Sequence, residues 1–391
     1  MPLVVAAVVL GVVRVPYYVI GPGPTENVMP LIRVAGHPTF PPKGKLLLVT
    51  VDLGPATAYQ ALAAWLSPDE QVVPSSEILS PGQTPQQQVQ QSFSQMDQSK
   101  IDATMVALGA TVGYPRRHGP GALVESTYPG TPAGDALAPG DVVTAIDGTA
   151  IGSADQALGI IERAAGGPAL RFTVRRGRRV VTLRITPQAG ALVEGTYAGL
   201  PASRVLRAGD VITAVDGRAV ETLTYLADAI RRAGYGGTVR LTVLRGSRTL
   251  HVSVRTARDP SVPYPVIGVA LADRFGANLV PNFPFTVSIS SGDIGGPSAG
   301  LMWTLGLIDL LSSGDLAHGR TIAGTGEIQL DGTILPIGGV REKVVAAERA
   351  GASVFFVPVA NANEAKSVAH GITIVPVRTY ADALHYLETH R

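Results

Sequence analysis

The octet DIGGPSAG, Asp293 to Gly300, stands directly before the apolar run LMWTLGLIDLL, Leu301 to Leu311. Its glycines let the backbone turn sharply or approach another group closely. The run that follows has the length of a helix. Ser298 therefore falls near a helix N-terminus, where unpaired N–H groups favour negative charge. Two readings stand at this point: a tight turn with Ser298 as N-cap, for which serine is a preferred residue, or an activated nucleophile.

A second unusual residue lies 45 positions on, in VREKVVAAERAGA (Val340–Ala352). The pattern predicts a helix ended by Gly351. At about 100° per residue, Val340, Val344 and Ala347 share a stripe and Lys343 lies within about 60° of its centre. Arg341, Glu342, Glu348 and Arg349 are expected on the opposite side. Such a lysine either snorkels its amine to water or is buried and loses its proton, because burial disfavours the charged form. Unperturbed, roughly one lysine in 2,500 is neutral at pH 7. A pKa lowered to about 7–8 would supply a base for a serine hydroxyl, which is otherwise a weak nucleophile. A Ser–Lys pair is chemically self-sufficient.

Other chemistries find less support. The chain has no cysteine, which removes thiol catalysis, zinc–thiolate sites and disulfides. Its seven histidines show no H-E-x-x-H spacing, and no metal is expected. A Ser–His–Asp triad has no local motif behind it, although residues distant in sequence leave it open. The only Gly-Lys pair, in PKGKLL, lacks the glycine and Ser/Thr of a P-loop, so neither a nucleotide site nor any cofactor is expected. Net charge is +2, which gives no electrostatic case for nucleic acid, and the RRGRR run (Arg175–Arg179) reads as a solvated hairpin turn. With 46% hydrophobic and 16% charged residues over 391 positions, the chain can bury several cores.

The middle of the chain is duplicated. ALVESTYPGTPAGDALAPGDVVTAIDG (Ala122–Gly148) recurs as ALVEGTYAGLPASRVLRAGDVITAVDG (Ala191–Gly217), 69 residues later without gaps and with 17 of 27 positions identical. Each copy predicts a strand, a Gly/Pro turn, an alternating strand closed by Asp-Gly, an amphipathic helix and a hairpin. This pattern, above all GDVI..VDG, resembles PDZ domains. The resemblance implies a groove that takes an extended peptide, often a chain end, as an added strand. Neither copy shows a clear Gly-Φ-Gly-Φ carboxylate loop. VGYP (Val112–Pro115) is the nearest candidate for the first, and the second has nothing comparable. Rigid spacers without ligands are the plainer alternative.

PLVVAAVVLGVV (Pro2–Val13) is apolar and uncharged, and VPYYVIGPGP follows Arg14. A spanning helix needs about 20 apolar residues, and 10–14 is ambiguous. A signal-peptide core is disfavoured by the lack of a preceding basic residue, while a buried strand stays open. Tyr17 and Tyr18 suit a membrane interface and the Gly-Pro segment reads as a helix exit. The expectation is a single-pass anchor over residues 1–20. KLLLVTVDL (Lys45–Leu53) predicts a buried strand, TAYQALAAWL a short helix, and the Gln-rich stretch from Thr84 to Gly113 one long helix, an interaction surface or, more simply, a bridge between domains.

GGPSAGL followed by GTGEIQLDGTILPIGGVREKVVAA resembles the proteolytic domain of the Lon family of serine peptidases, over Tyr264 to His390. The resemblance implies Ser298 as nucleophile and Lys343 as general base. It also implies Thr325 as an assisting hydroxyl, Gly339 as the turn that sets the lysine helix, and Gly296 and Pro297 in the serine loop. Backbone N–H groups from Gly296 to Ser298 would hold the oxyanion. Family members often carry an acid two residues before the proline of this motif, where this chain has Gly295. The layout resembles membrane-anchored Lon-like proteases with PDZ domains, which usually carry a single PDZ copy.

The expected architecture is multidomain α/β (α+β): an anchor (1–20), a strand-and-helix segment (35–118), two PDZ-like domains (120–187 and 189–257) and a Lon-type domain (258–391). Lys45–Leu53 and the long helix could complete that domain, with the PDZ pair inserted. The expected activity is ATP-independent, membrane-tethered peptide-bond hydrolysis on the extracytoplasmic side, with protein or peptide substrates and PDZ-bound segments as partners. A homo-oligomer is left open. The rivals are a PDZ adaptor with an inactive protease domain and a structural scaffold.

Overall fold

The computed structural model describes residues 13–79, 84–128, 131–197, 199–220, 223–245, 248–259, 262 and 264–390. Lys45–Thr57 (β2) shows why the first unit folds as it does. Leu46, Leu47, Leu48 and Val49 are all buried, so both faces of this strand are covered. Leu46 and Leu48 pack into one core with Met96, Ala103 and Trp303, whereas Leu47 and Val49 pack into another with Val340, Val344 and Phe355. This unit comprises Met1–His118 and Phe283–Arg391.

Its six-stranded sheet uses β1 (Arg14–Asn27), β2, β3 (Gln71–Pro74), β4 (Thr321–Gly324), β5 (Val354–Pro358) and β6 (Thr373–Val377), in the order β6-β5-β4-β2-β1-β3. The strands from β6 to β2 run parallel, and β1 and β3 add antiparallel. Helix α1 (Ala58–Leu66) follows β2, and α2 (Pro85–Val112) packs against α3 (Gly300–Leu311). Helix α4 (Val340–Arg349) lies against β1 and β2. A capping box between Thr84 and Gln87 starts α2, and left-handed Gly113 ends it.

The expectation at the N-terminus needs correction. Arg14 to Ile20 do not belong to an anchor, and Tyr17, Tyr18 and the Gly-Pro segment do not form a helix exit: all lie in β1. A register shift between Pro22 and Thr25 accommodates the prolines. Residues 1–12 lie outside the described residues. Among the described residues no helix is long and apolar enough to cross a membrane.

The second unit, Gly119–Asn282, holds two cores with the same plan. In the first repeat the sheet order is Ala277–Asn282, Gly119–Thr127, Val142–Ile146, Leu170–Arg176, Arg179–Ile185. In the second it is Val269–Asp273, Ala191–Thr196, Val211–Val215, Thr238–Arg245, Arg248–Arg255. The aspartate of each GD motif is buried and ion-paired, Asp141 with Arg176 and Asp210 with Arg245, at 2.7 Å in both. That pairing explains one arginine of RRGRR.

Each repeat is closed by a strand from far downstream. The Ile267 and Gly268 carbonyls accept from Ala202 and Tyr197 N–H in the second repeat, as those of Phe275 and Gly276 accept from Ala133 and Tyr128 in the first. The second repeat is therefore nested within the first. Residues 258–282, grouped by sequence with the C-terminal domain, complete the two repeats instead. VGYP ends α2 in the first unit and supplies no carboxylate loop. In the second repeat Pro265–Gly268 leads into the closing strand.

Candidate active site

The serine loop is held from below by α2. Gly296 N–H donates to Ser92 O (2.7 Å) and Ser99 Oγ donates to Pro297 O (2.9 Å). A Cβ on Gly295 would lie 2.8 Å from Ser92 Cβ, so α2 runs where a side chain at 295 would begin. The missing family acid thus has a steric counterpart in this chain. These contacts also correct two expectations: α2 is no bridge, and the Gly296 N–H is already committed. Pro297 has no N–H, so of these three residues only Ser298 offers a backbone donor. Ser298 itself is half-buried.

Gly339 begins α4 with φ +66°, and a Cβ there would approach Val51 Cγ1 to 2.7 Å. Only glycine takes this left-handed turn without strain. The turn presses α4 onto β2 and sends Lys343, one turn on, inward. Lys343 is only 3% exposed. Its Nζ donates to Ser298 Oγ at 2.8 Å and to Thr325 Oγ1 at 3.2 Å.

Thr325 is fully buried and its hydroxyl donates to Ser298 O at 3.1 Å. Gly326 N–H reaches the same carbonyl at 2.7 Å, and Thr325 N–H is fixed by Phe356 O at 2.9 Å. The start of α3 and the end of β4 are thereby locked together. Among the described residues, Ser298, Lys343 and Thr325 meet in one cluster, with Gly296 and Pro297 in the supporting loop.

Burial pushes the Lys343 amine down to about 8, opposed by the Glu342 carboxylate. Glu342 does not face solvent as the helical wheel predicts. It is buried, and desolvation raises its pKa, which weakens the negative charge it would offer Lys343. Beside the cluster opens a cleft of about 500 Å³ lined by Thr50 to Asp52, Met96 and the Ser290–Gly295 segment. Among the described residues no three His, Asp or Glu side chains converge as metal ligands.

Sequence reasoning missed Ser92, Ser99 and Glu342. Ser99 had a signal, since it shares the apolar stripe of Ala103, Val106 and Ala107 on α2. The approach of Ser92 had none, because it is set by two segments 200 residues apart in sequence.

A second concavity, about 370 Å³, lies in the second repeat between helix Leu223–Arg232 and strand Val269–Asp273. Leu200, Ala227, Ile230, Ile267, Val269 and Leu271 line it, and that strand is the sheet edge. At its rim the Arg231 guanidinium stacks 5.0 Å over Tyr264.

Residues 287–388 match the Lon protease (S16) C-terminal proteolytic domain, and 190–256 and 123–176 each match a PDZ domain. The chain thus carries a Lon-type proteolytic domain and two PDZ domains. Lon protease 1 of Myxococcus xanthus is 38% identical over 29% of this chain and 15% of its own length. Lon protease of Metamycoplasma arthritidis is 31% identical over 41% of this chain and 21% of its own. Lon protease 2 of Bacillus subtilis is 35% identical over 26% and 17%. The chain spans less than a quarter of the length of these relatives. Among solved structures, the PDZ domain of an SdrC-like protein from Listeria monocytogenes is 30% identical over 22% of this chain and 90% of its own, with a TM-score of 0.21.

Proposed function

We propose that the chain is an ATP-independent serine endopeptidase, tethered to a membrane through its apolar N-terminal segment with the catalytic part on the extracytoplasmic side. The observation that carries the catalytic reading is the 2.8 Å separation of the buried Lys343 Nζ from the half-buried Ser298 Oγ. Once the amine is neutral, the same separation lets the Ser298 hydroxyl donate to Nζ. The amine then takes the proton as Oγ attacks the peptide carbonyl, and returns it to the leaving nitrogen. A Lys343 N–H held by Thr325 Oγ1 orients the lone pair on Nζ toward the serine. Ser298 N–H is the donor available to the developing oxyanion. Water then hydrolyses the acyl-enzyme with Lys343 again as base.

The PDZ pair selects protein substrates in this reading. The open edge strand Val269–Asp273 and the apolar groove beside it favour an extended peptide added as a strand. An inactive adaptor would bind peptides without reacting at Ser298. Incubation with a serine-directed electrophile followed by peptide mapping separates the two: label on Ser298, lost in Ser298→Ala, supports the peptidase. A chain that captures peptides yet never labels is the adaptor.

A further inference from the structure

Helix α1 is turned inside out for a helix of a water-exposed domain. Ala64 is buried and Ala61 half-buried on the side of the helix that faces the sheet, while Ala63 is exposed. Its large apolar residues face away: Tyr59 is 62% exposed, Leu62 54%, Trp65 75% and Leu66 72%. They follow at intervals of three, three and one, which puts them on one stripe. The helix AYQALAAWL carries no charged residue. A capping box between Thr57 and Gln60 and its contacts with β1, β2 and β3 fix it to the domain. The outward stripe is therefore a property of the folded unit. A contiguous apolar stripe of this kind marks a surface that something covers.

The occupant follows from where α1 begins. Ala58 N–H donates to Val13 O at 3.0 Å, so the helix starts at the last residue of the apolar segment Pro2–Val13. Val13 and Tyr17 are themselves exposed. Tryptophan and tyrosine, with an apolar body and a polar N–H or O–H, suit the level of lipid headgroups. We infer that α1 lies in the lipid interface, with Leu62 and Leu66 inserted among the acyl chains and Tyr59 and Trp65 at the boundary between acyl chains and headgroups. This rests on the membrane-tether reading and adds a second contact to it. The helix has no cationic face, and Asp69 and Glu70 follow it closely, so attraction to anionic lipid contributes little. The sheet takes the place of the polar face that a free interfacial helix would need.

The test uses the full chain reconstituted with phosphatidylcholine vesicles, with or without bromine on the acyl chains. The protein has two tryptophans, and Trp303 is fully buried, so lipid-dependent quenching reports on Trp65. The chain should float with the vesicles and lose most of its Trp65 emission to brominated lipid. Trp65→Phe should remove that quenching and leave flotation and peptide cleavage intact. A chain that floats while Trp65 stays unquenched overturns the inference but not the tether. Cross-linking through α1, with Trp65 shielded from acrylamide yet blind to bromine, would put a second copy on this face and overturn it equally. A chain that never floats defeats both readings.

Discussion

Lys343 and Asp309 are two ionisable groups buried in the same unit, and both are pushed toward their neutral forms by desolvation. Lys343 falls to about 8 and Asp309 rises to about 6. Their neighbours differ. The amine faces two hydroxyls, one of them on Ser298 in the loop that leads into α3, and a cleft adjoins it. The Asp309 carboxylate accepts the Leu316 N–H at 2.9 Å and ties down the segment after α3. Burial alone marks neither as functional: the amine can take a proton from a group that then reacts, whereas the carboxylate holds a loop.

The largest contrast should appear in cleavage. Ser298→Ala and Lys343→Arg should each lower kcat/KM by ~10²–10⁴ or more, since one removes the nucleophile and the other leaves a base that stays protonated. Asp309→Asn should leave cleavage unchanged. Peptide hydrolysis by matched preparations checks this, and an active Lys343→Arg would break the comparison at its root.

In stability the two sites should behave alike. Holding either group in its neutral form against its ordinary titration corresponds to about 3 kcal/mol at most. Folding favours protonated Asp309, so stability is lost as pH rises from 3.8 through about 6, and the loss is complete above that range. Folding favours neutral Lys343, so its cost is complete below about 8 and fades from there to 10.5. Lys343→Met and Asp309→Asn should therefore both raise Tm at pH 7, and only the first should abolish cleavage. Thermal unfolding at pH 5 and 7 provides the check. The gain from Asp309→Asn should shrink at the lower pH while that from Lys343→Met persists.

A smaller effect should come from the α2 clamp. Ser99→Ala removes one hydrogen bond to Pro297 O, worth about 1 kcal/mol, and should slow cleavage about fivefold with little change in fold. No change in rate would show that α2 supports the loop without positioning it. Ala227→Phe, which fills the apolar groove of the second repeat, should raise KM for protein substrates a few-fold. An unchanged KM would leave that repeat without a part in substrate choice.

Much of this was legible because the signals are local. The 69-residue repeat, the glycines around Ser298 and the lysine on an apolar stripe each sit within one short segment. What could not be read depends on long-range closure. The strands that complete the repeats come from Val269–Asp273 and Ala277–Asn282, more than 70 residues after the segments they pair with. GPGP reads as a helix exit by local rule, yet β1 carries it through a bulge beside β2. Glu342 looks solvent-facing on an isolated helix, but α4 is covered on that side too. The glycine at 295 looks like the loss of an acid until Ser92 is seen against it.

The most direct measurement is the rate at which a serine-directed electrophile labels Ser298, followed from pH 5 to 10. The rate should climb with pH and level off with a midpoint near the Lys343 value of about 8, unaltered by Asp309→Asn. In Lys343→Met the rate should be low and carry no such midpoint. A profile that is flat across this range in the unaltered protein, or that survives in Lys343→Met, would contradict the assignment of Lys343 as the base.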